Sequence, residues 1–317
     1  NTVAPGDVVE QFGADILRLW VATTDYTDDQ RLGPNILKAA ADSYRRLRNG
    51  FRFLLGNLAG FEEGERVAPE EMPELERWVL HRMAVLDAEV RRGYEAFAYQ
   101  RVFSALFNFI TADLSAVYFD IRKDALYCDP ADSLRRRAAR SVLDLLFHRL
   151  TTWLAPILAF TMEEVWLERF PGEGSSVHLQ TIPETPQGWR DAALAEKWER
   201  LRAVRRVVLG ALEIERRDKR IGASLEAAPI LYIEDAELRA LCAHAGMADL
   251  CITSGMAFSA DPPPPDAFRL GEVPGVAVEP ALAEGAKCAR CWKVLPDVGA
   301  HAHPGVCGRC EEALSIA

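Results

Sequence analysis

Two pairs of cysteines near the end of the chain constrain its fold more than any other feature. Two residues separate Cys288 from Cys291 and Cys307 from Cys310, and fifteen residues separate the pairs. Each pair can bring two thiolates to one metal ion from a tight turn, so the two pairs match the ligand set of a tetrahedral Zn²⁺. Because four protein ligands leave no open position, the sequence predicts one zinc ion per chain, with a structural role.

Sequence alone leaves other interpretations of these thiols open. They could form two disulfides or stay free, and His301 and His303, which lie between the pairs, could replace a cysteine as ligand. We expect zinc, because the chain shows no secretory signal peptide and the four cysteines crowd into its last thirty residues. Cys128, Cys242 and Cys251 stand alone and are expected to be buried packing residues.

Helical periodicity dominates the region from residue 34 to about residue 170. Apolar residues recur there at helical spacing in four long segments, which are separated by turns that contain glycine or proline. Four long amphipathic helices with short connections predict an antiparallel bundle. The third is expected to span residues 99–119, and Pro156 is expected to interrupt the fourth. In the first, the expected apolar stripe consists of Ile36, Ser43, Leu47, Phe51, Leu54 and Leu58.

The two ends of the chain have a different pattern. Residues 7–20 predict one short helix capped by Asp7, and residues 192–218 predict one more long helix. Short apolar runs at 229–233 and 250–253 predict strands, with a helix at 236–244 between them. The predicted fold is therefore mainly α, with an antiparallel helical bundle, a small α+β domain and a zinc knuckle formed by four cysteines. We divide the chain into segments 1–33, 34–183, 184–285 and 286–317.

The chain is acidic in total, with a net charge of −10, and this balance argues mildly against a nucleic-acid partner. A phosphate backbone responds to local charge, however, and positive charge is concentrated in three places. Residues 34–53 carry five cations against one acid, residues 196–221 nine against five, and residues 286–310 four against one. The first five are Lys38, Arg45, Arg46, Arg48 and Arg52. These clusters could bind a polyanion or could be solvated helix faces, and charge alone does not decide between the two.

Trp292 follows the first cysteine pair directly, with Arg290 and Lys293 beside it. An aromatic ring beside cations can stack on a base of single-stranded RNA, although it could also pack against a neighbouring domain. The sequence contains no Gly-rich phosphate loop, no G-x-S-x-G motif and no H-E-x-x-H motif, so we expect no catalytic residue. The longest apolar stretch, near 153–162, is too short to span a bilayer, and we expect a cytoplasmic monomer without a membrane partner.

Several segments, in chain order, resemble one enzyme family. Residues 1–5 and 13–20 are similar to the stretch that follows the K-M-S-K-S signature of class I aminoacyl-tRNA synthetases. Residues 25–34, 44–49 and 54–58 resemble isoleucyl-tRNA synthetases specifically. Leu154–Trp166 resembles a segment common to the helical anticodon-binding domain of the whole subgroup, which includes the valyl and leucyl enzymes. The junction sequence at 219–227 resembles the C-terminal junction of the synthetase, and the two cysteine pairs with Trp292 resemble its terminal zinc domain of the bacterial type.

The resemblance implies a function for the intact protein and a role for this part of it. Isoleucyl-tRNA synthetases use ATP to attach isoleucine to tRNA(Ile), and a separate domain edits mischarged valine. The catalytic signature would lie just before Asn1, so this chain would lack the catalytic and editing sites, would bind no ATP by itself and would depend on those upstream domains. The helical bundle would be the anticodon-binding domain, and tRNA(Ile) would be its partner.

Residue chemistry and motif position then suggest where the tRNA is contacted. Arginine side chains would bind phosphates, and the tryptophan would stack on an unpaired anticodon base. The expected contacts are Arg45, Arg48 and Asn49 in the helical bundle and Arg290, Trp292 and Arg309 in the zinc domain.

Two other classes of protein remain as alternatives. One is a stand-alone, zinc-containing RNA-binding module without a catalytic partner. The other is a zinc-ribbon DNA-repair glycosylase, whose terminal zinc knuckle has similar spacing. Such a glycosylase needs an N-terminal catalytic residue and a strand-rich domain, and the helical region at 34–170 offers neither.

Overall fold

The computed structural model describes residues 3–315, so Asn1, Thr2, Ile316 and Ala317, at the ends of the predicted segments 1–33 and 286–317, lie outside the described residues. The chain divides into two compact units. The first unit comprises the residues up to Asp120 together with Arg137–Asp191, and the second comprises Ile121–Arg136 together with the residues from Ala192 onward. The division of the sequence into four segments stays a prediction.

Helices form most of the first unit, because its apolar residues recur at helical spacing. Its core contains large, fully buried side chains such as Met83, Leu106, Phe147 and Trp153. The helices are α1 (Pro5–Phe12), α2 (Ala14–Thr23), α3 (Pro34–Leu58), α4 (Glu74–Glu95), α5 (Tyr99–Asn108), a π-helical segment (Phe109–Phe119), α7 (Leu134–Leu154) and α8 (Ala159–Arg169). The helix α6 (Asp120–Cys128) continues into the second unit, and α7 begins there.

The helix predicted at 7–20 is two helices in the structure. Gly13 separates α1 from α2 with a φ of 90°, a backbone conformation that residues with a Cβ rarely adopt. Asp7, the predicted cap, lies instead in the first turn of α1, which begins at Pro5 and has no side-chain cap. Val8, Ile16 and Leu19 are nonetheless buried, as their helical spacing predicts.

The predicted apolar stripe of α3 is confirmed except at its start. The helix begins at Pro34, whose fixed φ suits a first helical turn. The prediction for Ile36 is wrong, because its side chain is 40% exposed and Leu37 takes the buried position. Ser43 is half-buried. The remaining members, Leu47, Phe51, Leu54 and Leu58, are buried.

The third predicted helix is longer than its sequence pattern indicates. It continues without a break from Tyr99 to Cys128, because no glycine or proline intervenes before Pro130. Among the described residues, this is the one helix long and apolar enough to cross a membrane by length and composition alone, with a mean hydropathy of 1.5 over 18 residues. Since 56% of that stretch is buried inside the protein, its apolar character has a sufficient cause in the core.

Pro156 interrupts the chain between α7 and α8 as predicted, and α2 supplies both charges that this break requires. Arg18 donates hydrogen bonds to the carbonyl oxygens of Pro156 (2.7 Å) and Ile157 (3.0 Å), which the break leaves without helical partners. Buried Asp15 accepts hydrogen bonds from the N–H and the hydroxyl of Thr161 (2.7 and 2.5 Å) in the first turn of α8. Arg18 therefore binds carbonyl oxygens of the turn, and Asp15 binds the N–H end of α8, where an anion is favoured.

The second unit combines a long helix with a small sheet. The helix α9 (Ala192–Arg217) packs against a three-stranded sheet formed by β1 (Ile230–Ile233), β2 (Ala257–Ser259) and β3 (Val276–Glu279). The strand order is β2-β1-β3, and β1 pairs parallel with β2 and antiparallel with β3. The predicted strand at 250–253 is wrong, because Leu250 and Cys251 end a short helix; an apolar run this short fits either structure. The other elements are α10 (Ala236–His244) and α11 (Met247–Cys251). The mainly α fold with a small α+β part is confirmed.

Candidate metal centre and nucleic-acid interface

The first cysteine pair lies in the turn of a two-stranded hairpin. β4 (Ala286–Lys287) pairs antiparallel with β5 (Val294–Leu295). The Cys288 N–H donates to the Lys293 carbonyl (2.8 Å), and the Trp292 N–H donates to the Cys288 carbonyl (3.0 Å). Gly285 enters the hairpin with a φ of 114°, and a Cβ there would lie 2.2 Å from the Leu295 carbonyl oxygen, so the close approach of the two strands requires glycine.

The second cysteine pair lies at the start of the helix α12 (Gly308–Ser315). Cys307 directly precedes this helix, and Cys310 lies in its first turn. The Gly308 N–H donates to Asp297 Oδ2 at 2.8 Å, which satisfies a backbone donor at the start of the helix. The Cys307 N–H donates to Cys288 Sγ at 3.4 Å, so one hydrogen bond joins the two cysteine turns directly.

The four sulfur atoms form one cluster. Their Sγ atoms all lie within 4.8 Å of one another, and all four cysteines are buried. The Sγ atoms of Cys291 and Cys307 are 3.7 Å apart. A tetrahedron with Zn–S bonds of about 2.3 Å has edges of about 3.8 Å, whereas a disulfide needs about 2.05 Å. The donor set therefore fits one Zn²⁺ with its shell closed, which is the geometry of a structural site.

The cluster favours a thiolate most strongly at Cys288. Burial opposes ionisation there, but backbone N–H groups of Cys291, Cys307 and Arg290 stabilise the charged sulfur and lower the pKa of the Cys288 thiol to about 6. Burial raises the pKa of Cys310 to about 11 and also raises the pKa of Cys291. A divalent cation would have to displace the protons of these thiols, as structural zinc does on binding.

The two histidines between the cysteine pairs bind carboxylates. His301 Nε2 lies 3.0 Å from Asp297 Oδ2, and His303 Nδ1 lies 2.7 Å from Glu311 Oε2. In the part of the chain that the structure describes, the group of side chains able to hold a metal consists of the four cysteines alone. The histidines therefore order the loop between the pairs and replace none of the cysteines.

Trp292 projects from the four-cysteine cluster into solvent. Its backbone has a φ of 65°, which is uncommon for a residue with a side chain, and its side chain is 61% exposed. Lys287 Nζ lies 5.7 Å from the centre of the indole ring, within the range of a cation–π contact. Trp292 thus offers an accessible aromatic face beside a cation and does not pack into the core of the described chain.

The two arginines of the cysteine pairs are engaged within the second unit. Arg290 is half-buried, and its Nη1 donates to the carbonyl oxygen of Cys128. Arg309 is half-buried and binds the carboxylates of Asp124 and Asp129. Both side chains therefore have protein partners near the metal cluster.

The basic residues of α3 lie on its solvent side. Arg45, Arg48 and Asn49 are exposed and are spaced for one helix face. Arg45 forms an exposed ion pair with Asp42 (2.8 Å), an interaction that contributes little in water. Arg48 also lines a groove of about 600 Å³ between α3 and α8, where Arg52 and Arg169 accompany it and Glu164 and Glu168 provide opposite charge. The structure thus brings Arg45, Arg48 and Asn49 together on one accessible face.

Two family models match this chain. Residues 76–231 match the anticodon-binding domain of tRNA ligase, and residues 285–313 match the zinc finger found in FPG and IleRS. The zinc-finger description names two kinds of protein, so that segment alone does not choose between them.

Relatives that match nearly the whole chain are isoleucine–tRNA ligases. An isoleucine–tRNA ligase of Ruegeria pomeroyi is 68% identical over 99% of this chain, and one of Brucella abortus is 56% identical over 95% of it. The chain belongs to the isoleucine–tRNA ligase family. It spans about a third of the length of these curated relatives, 32% and 31%. A solved LeuRS–tRNA–LeuAMS complex from Agrobacterium radiobacter is 20% identical over 61% of this chain and 22% of its own chain, with a TM-score of 0.46, too weak a likeness to support an argument.

The three basic clusters differ in how much of their positive charge is paired with acids of the same chain. On α9, Arg200, Arg216 and Arg217 pair with nearby carboxylates, and so does Arg220 beyond its end. Four of the nine cations at 196–221 are therefore paired with acids within the protein, and a phosphate backbone would feel less of their charge. The cations of α3 and the Lys287–Trp292 pair remain the more accessible features.

Sequence reasoning missed three residues around the metal centre of this ligase-family chain. Lys287 was counted only as part of a local positive charge, and Asp124 and Asp129, on the segment before α7, carried no signal of a partner at the far end of the chain. One signal was present in the cysteine motifs themselves. Both pairs carry arginine at the same position, as Cys-Ala-Arg-Cys and Cys-Gly-Arg-Cys, which indicates a shared structural task.

Proposed function

We propose that this chain is the tRNA-binding part of an isoleucine–tRNA ligase and that it recognises the anticodon region of tRNA(Ile). The observation that carries the proposal is the 68% identity with such a ligase over 99% of the chain. The match of residues 76–231 to an anticodon-binding domain supports the same role. The remaining length of the relatives would hold the sites that use ATP to attach isoleucine and that edit mischarged valine.

The proposal gives each segment of the chain a task. Residues 1–33 would connect to the catalytic region, and residues 34–183 would form the anticodon-binding domain. Residues 184–285 would form a junction domain, and residues 286–317 would form the zinc domain. The intact ligase would be a cytoplasmic monomer, and this chain would bind no ATP by itself.

The exposed face of α3 is proposed as one tRNA contact. Arg45 and Arg48 would bind phosphate oxygens, and the Asn49 amide can donate to a phosphate or to a base edge. The exposure of all three side chains supports this assignment, because a phosphate backbone can approach them without rearrangement of the helix. Phosphate contacts of this kind set the register of the RNA and make its binding depend on salt.

The zinc domain is proposed as a second contact. Trp292 would stack on an unpaired base, and Lys287 beside the ring would favour the approach of the RNA backbone. Arg290 and Arg309, which the sequence predicts as tRNA contacts, are proposed to act differently. Their hydrogen bonds to Cys128, Asp124 and Asp129 support a contribution through the placement of the zinc domain. Zinc would hold the two cysteine turns together and would take no part in aminoacylation.

A titration of the chain against tRNA(Ile) tests the α3 contact. Replacement of Arg45, Arg48 and Asn49 by Ala should weaken binding and should make the salt dependence shallower by roughly 0.7–0.9 for each phosphate that the variant no longer binds. Arg101→Ala is the matched control, because Arg101 is an exposed arginine on α5 of the same unit. Equal binding by the triple variant and the control would contradict the assignment.

The same titration separates the proposed function from the two alternatives. A stand-alone RNA-binding module would bind unrelated tRNAs as tightly as tRNA(Ile). A zinc-ribbon glycosylase would bind and cleave damaged duplex DNA. Unrelated tRNA and damaged duplex DNA are therefore the two competitors in the titration. The proposed function requires a preference for tRNA(Ile) over both.

A further inference from the structure

The arginines of the two cysteine pairs converge on one distant segment of the chain. This segment, called the elbow, consists of residues 121–136, where α6 ends and α7 begins. Arg290 Nη1 donates to the Cys128 carbonyl, and Arg309 binds Asp124. The elbow and the zinc domain belong to the same compact unit. Each cysteine turn is thus hydrogen-bonded to the elbow through its own arginine.

Arg309 is held by two carboxylates of the elbow. Its Nη2 donates to Asp124 Oδ1 at 2.6 Å and its Nη1 donates to Asp124 Oδ2, so the pair is bidentate, and Nη1 lies 3.3 Å from Asp129 Oδ1. Arg135 binds the same two acids, at 2.9 Å from Asp124 and 2.7 Å from Asp129. Two arginines and two aspartates therefore alternate in one half-buried network, an arrangement that orients each group more firmly than an isolated surface pair.

The network extends to the other cysteine turn through α11. Arg135 Nη1 lies 3.5 Å from Asp249 Oδ2, and Lys293 Nζ, two residues after Cys291, lies 2.6 Å from Asp249 Oδ1. Cys128 of the elbow also packs in the buried cluster that contains the four ligand cysteines. The zinc domain is therefore joined to the elbow by ionic contacts at both turns and by apolar contact at its centre.

The charges of this network are balanced at neutral pH. Burial opposes ionisation of Asp124, but Arg309 and Arg135 hold the pKa of its carboxyl below its usual range. A guanidinium bound by two carboxylates presents little net positive charge to an approaching phosphate.

We infer that Arg309 is a positioning residue, which fixes the zinc domain on the elbow through Asp124 and Asp129 and thereby holds Trp292 in place for the RNA. The inference rests on the proposed function, because it assigns Trp292 a base to stack on. Arg309 acts through its acidic partners and does not bind the tRNA itself. Asp124 has the same task from the other side of the contact.

A direct contact between Arg309 and a phosphate would make the opposite prediction for Asp124. If Arg309 bound the RNA, Asp124→Asn would remove a negative charge beside the RNA and would leave affinity unchanged or raise it. If Arg309 is a positioning residue, Asp124→Asn breaks the same interaction as Arg309→Met and lowers the affinity. The sign of the Asp124 effect therefore distinguishes the two roles.

The test uses the whole chain and tRNA(Ile), with Asp124→Asn, Arg309→Met, the double variant and Arg309→Lys. We expect each of the first two single variants to weaken binding by about tenfold, as for loss of a charge-assisted hydrogen bond, and the double variant to bind no more weakly than either. The slope of affinity against salt should stay unchanged, and Arg309→Lys should restore part of the affinity. Unchanged or tighter binding by Asp124→Asn, with a shallower salt slope for Arg309→Met, would overturn the inference.

Amide hydrogen exchange tests the positioning without any tRNA. In Arg309→Met we expect faster exchange at residues 121–136 and an unchanged zinc content, because the metal ligands remain in place. Unchanged exchange in the elbow would overturn the inference even if the affinity for tRNA falls. Trp292→Ala in the unaltered background serves as the check on the proposed function: if tRNA(Ile) binding is insensitive to this change, the stacking role fails while the exchange result still decides the role of Arg309.

Discussion

At the scale of single residues, Trp292 has the properties that base stacking requires. Its ring is exposed, its backbone is fixed in the hairpin directly after a metal ligand, and Lys287 lies beside it. A rigid aromatic side chain loses little conformational entropy when a base covers it. The four-cysteine cluster therefore supports the hairpin from which the Trp292 ring extends into solvent.

Trp292→Ala should weaken tRNA(Ile) binding and leave the fold intact. The expected loss is about 1–3 kcal/mol, the amount typical of one stacked base. Fluorescence titration with labelled tRNA measures the affinity, and far-ultraviolet circular dichroism checks the fold. Trp292→Phe keeps an aromatic face and should retain most of the affinity; equal affinity in the Ala and wild-type chains would refute the stacking role.

The residues of the site differ in how far sequence could predict them. Cysteine spacing identified the four candidate ligands, because the geometry of zinc binding is local to each turn. Arg309 could not be understood from local sequence, since Asp124 lies 185 residues away along the chain. Its basic character suggested a phosphate contact, and the structure gives it two acidic partners in the same unit.

At the scale of elements, the break between α7 and α8 depends on α2. Asp15→Asn should destabilise the first unit by about 1–2 kcal/mol, since a neutral amide is a weaker partner for the backbone N–H groups of Phe160 and Thr161. Asp7→Asn is the matched control, because Asp7 is an exposed acid on α1. Thermal unfolding followed by circular dichroism measures the difference, and equal melting temperatures for the two variants would contradict this account.

A histidine on α4 makes the first unit sensitive to acid. His81 Nδ1 accepts a hydrogen bond from the Asp191 N–H at 2.9 Å, so that nitrogen carries no proton. Burial, with Arg82 nearby, lowers the pKa of His81 below its ordinary value of 6.5. The unfolded chain then binds a proton more readily than the folded chain, and stability is lost as the pH falls below about 6.5 and through the folded pKa.

The measurement compares melting temperatures at about pH 7.5 and pH 5.5, a range that brackets the ordinary histidine pKa. His81→Gln should show a smaller loss on acidification than the wild-type chain, because its side chain does not titrate. The variant should still lose some melting temperature on acidification, because burial also lowers the pKa of His148. An identical loss in both chains would show that His81 does not contribute.

Element type was predictable where periodicity was long and uninterrupted. The long helices α3, α4, α7 and α9 followed from helical spacing, and the break at Pro156 followed from the backbone restrictions of proline. The run at 250–253 was too short to distinguish a strand from a helix, and the structure places Leu250 and Cys251 in α11. The strands β2 and β3 pair with β1 through contacts across some 27 to 49 residues of sequence, which no local pattern reveals.

At the scale of the whole molecule, the metal site should unfold separately from the helices of the first unit. Structural zinc contributes about 10–16 kcal/mol of apparent binding free energy in small zinc domains, so a chelator should release the fold of residues 285–313 first. Amide exchange should accelerate there and stay slow in α4 and α7. Uniform acceleration throughout the chain would contradict this prediction.

Metal analysis completes that prediction. The purified chain should contain one equivalent of zinc, and Cys288→Ser should lose it. Cys242→Ser is the matched control, because Cys242 is a buried cysteine outside the metal cluster and should retain the metal. A metal-free chain with a fully ordered zinc domain would refute the structural role of zinc.

The measurement that tests the central claim most directly is a titration of this chain against tRNA(Ile) and against the same tRNA with an exchanged anticodon, at two salt concentrations. Recognition of the anticodon region predicts a preference of about tenfold or more for the native anticodon, or about 1.4 kcal/mol, that persists at the higher salt concentration. Equal affinities that fall together as salt rises would contradict it, because binding would then come from phosphate contacts alone.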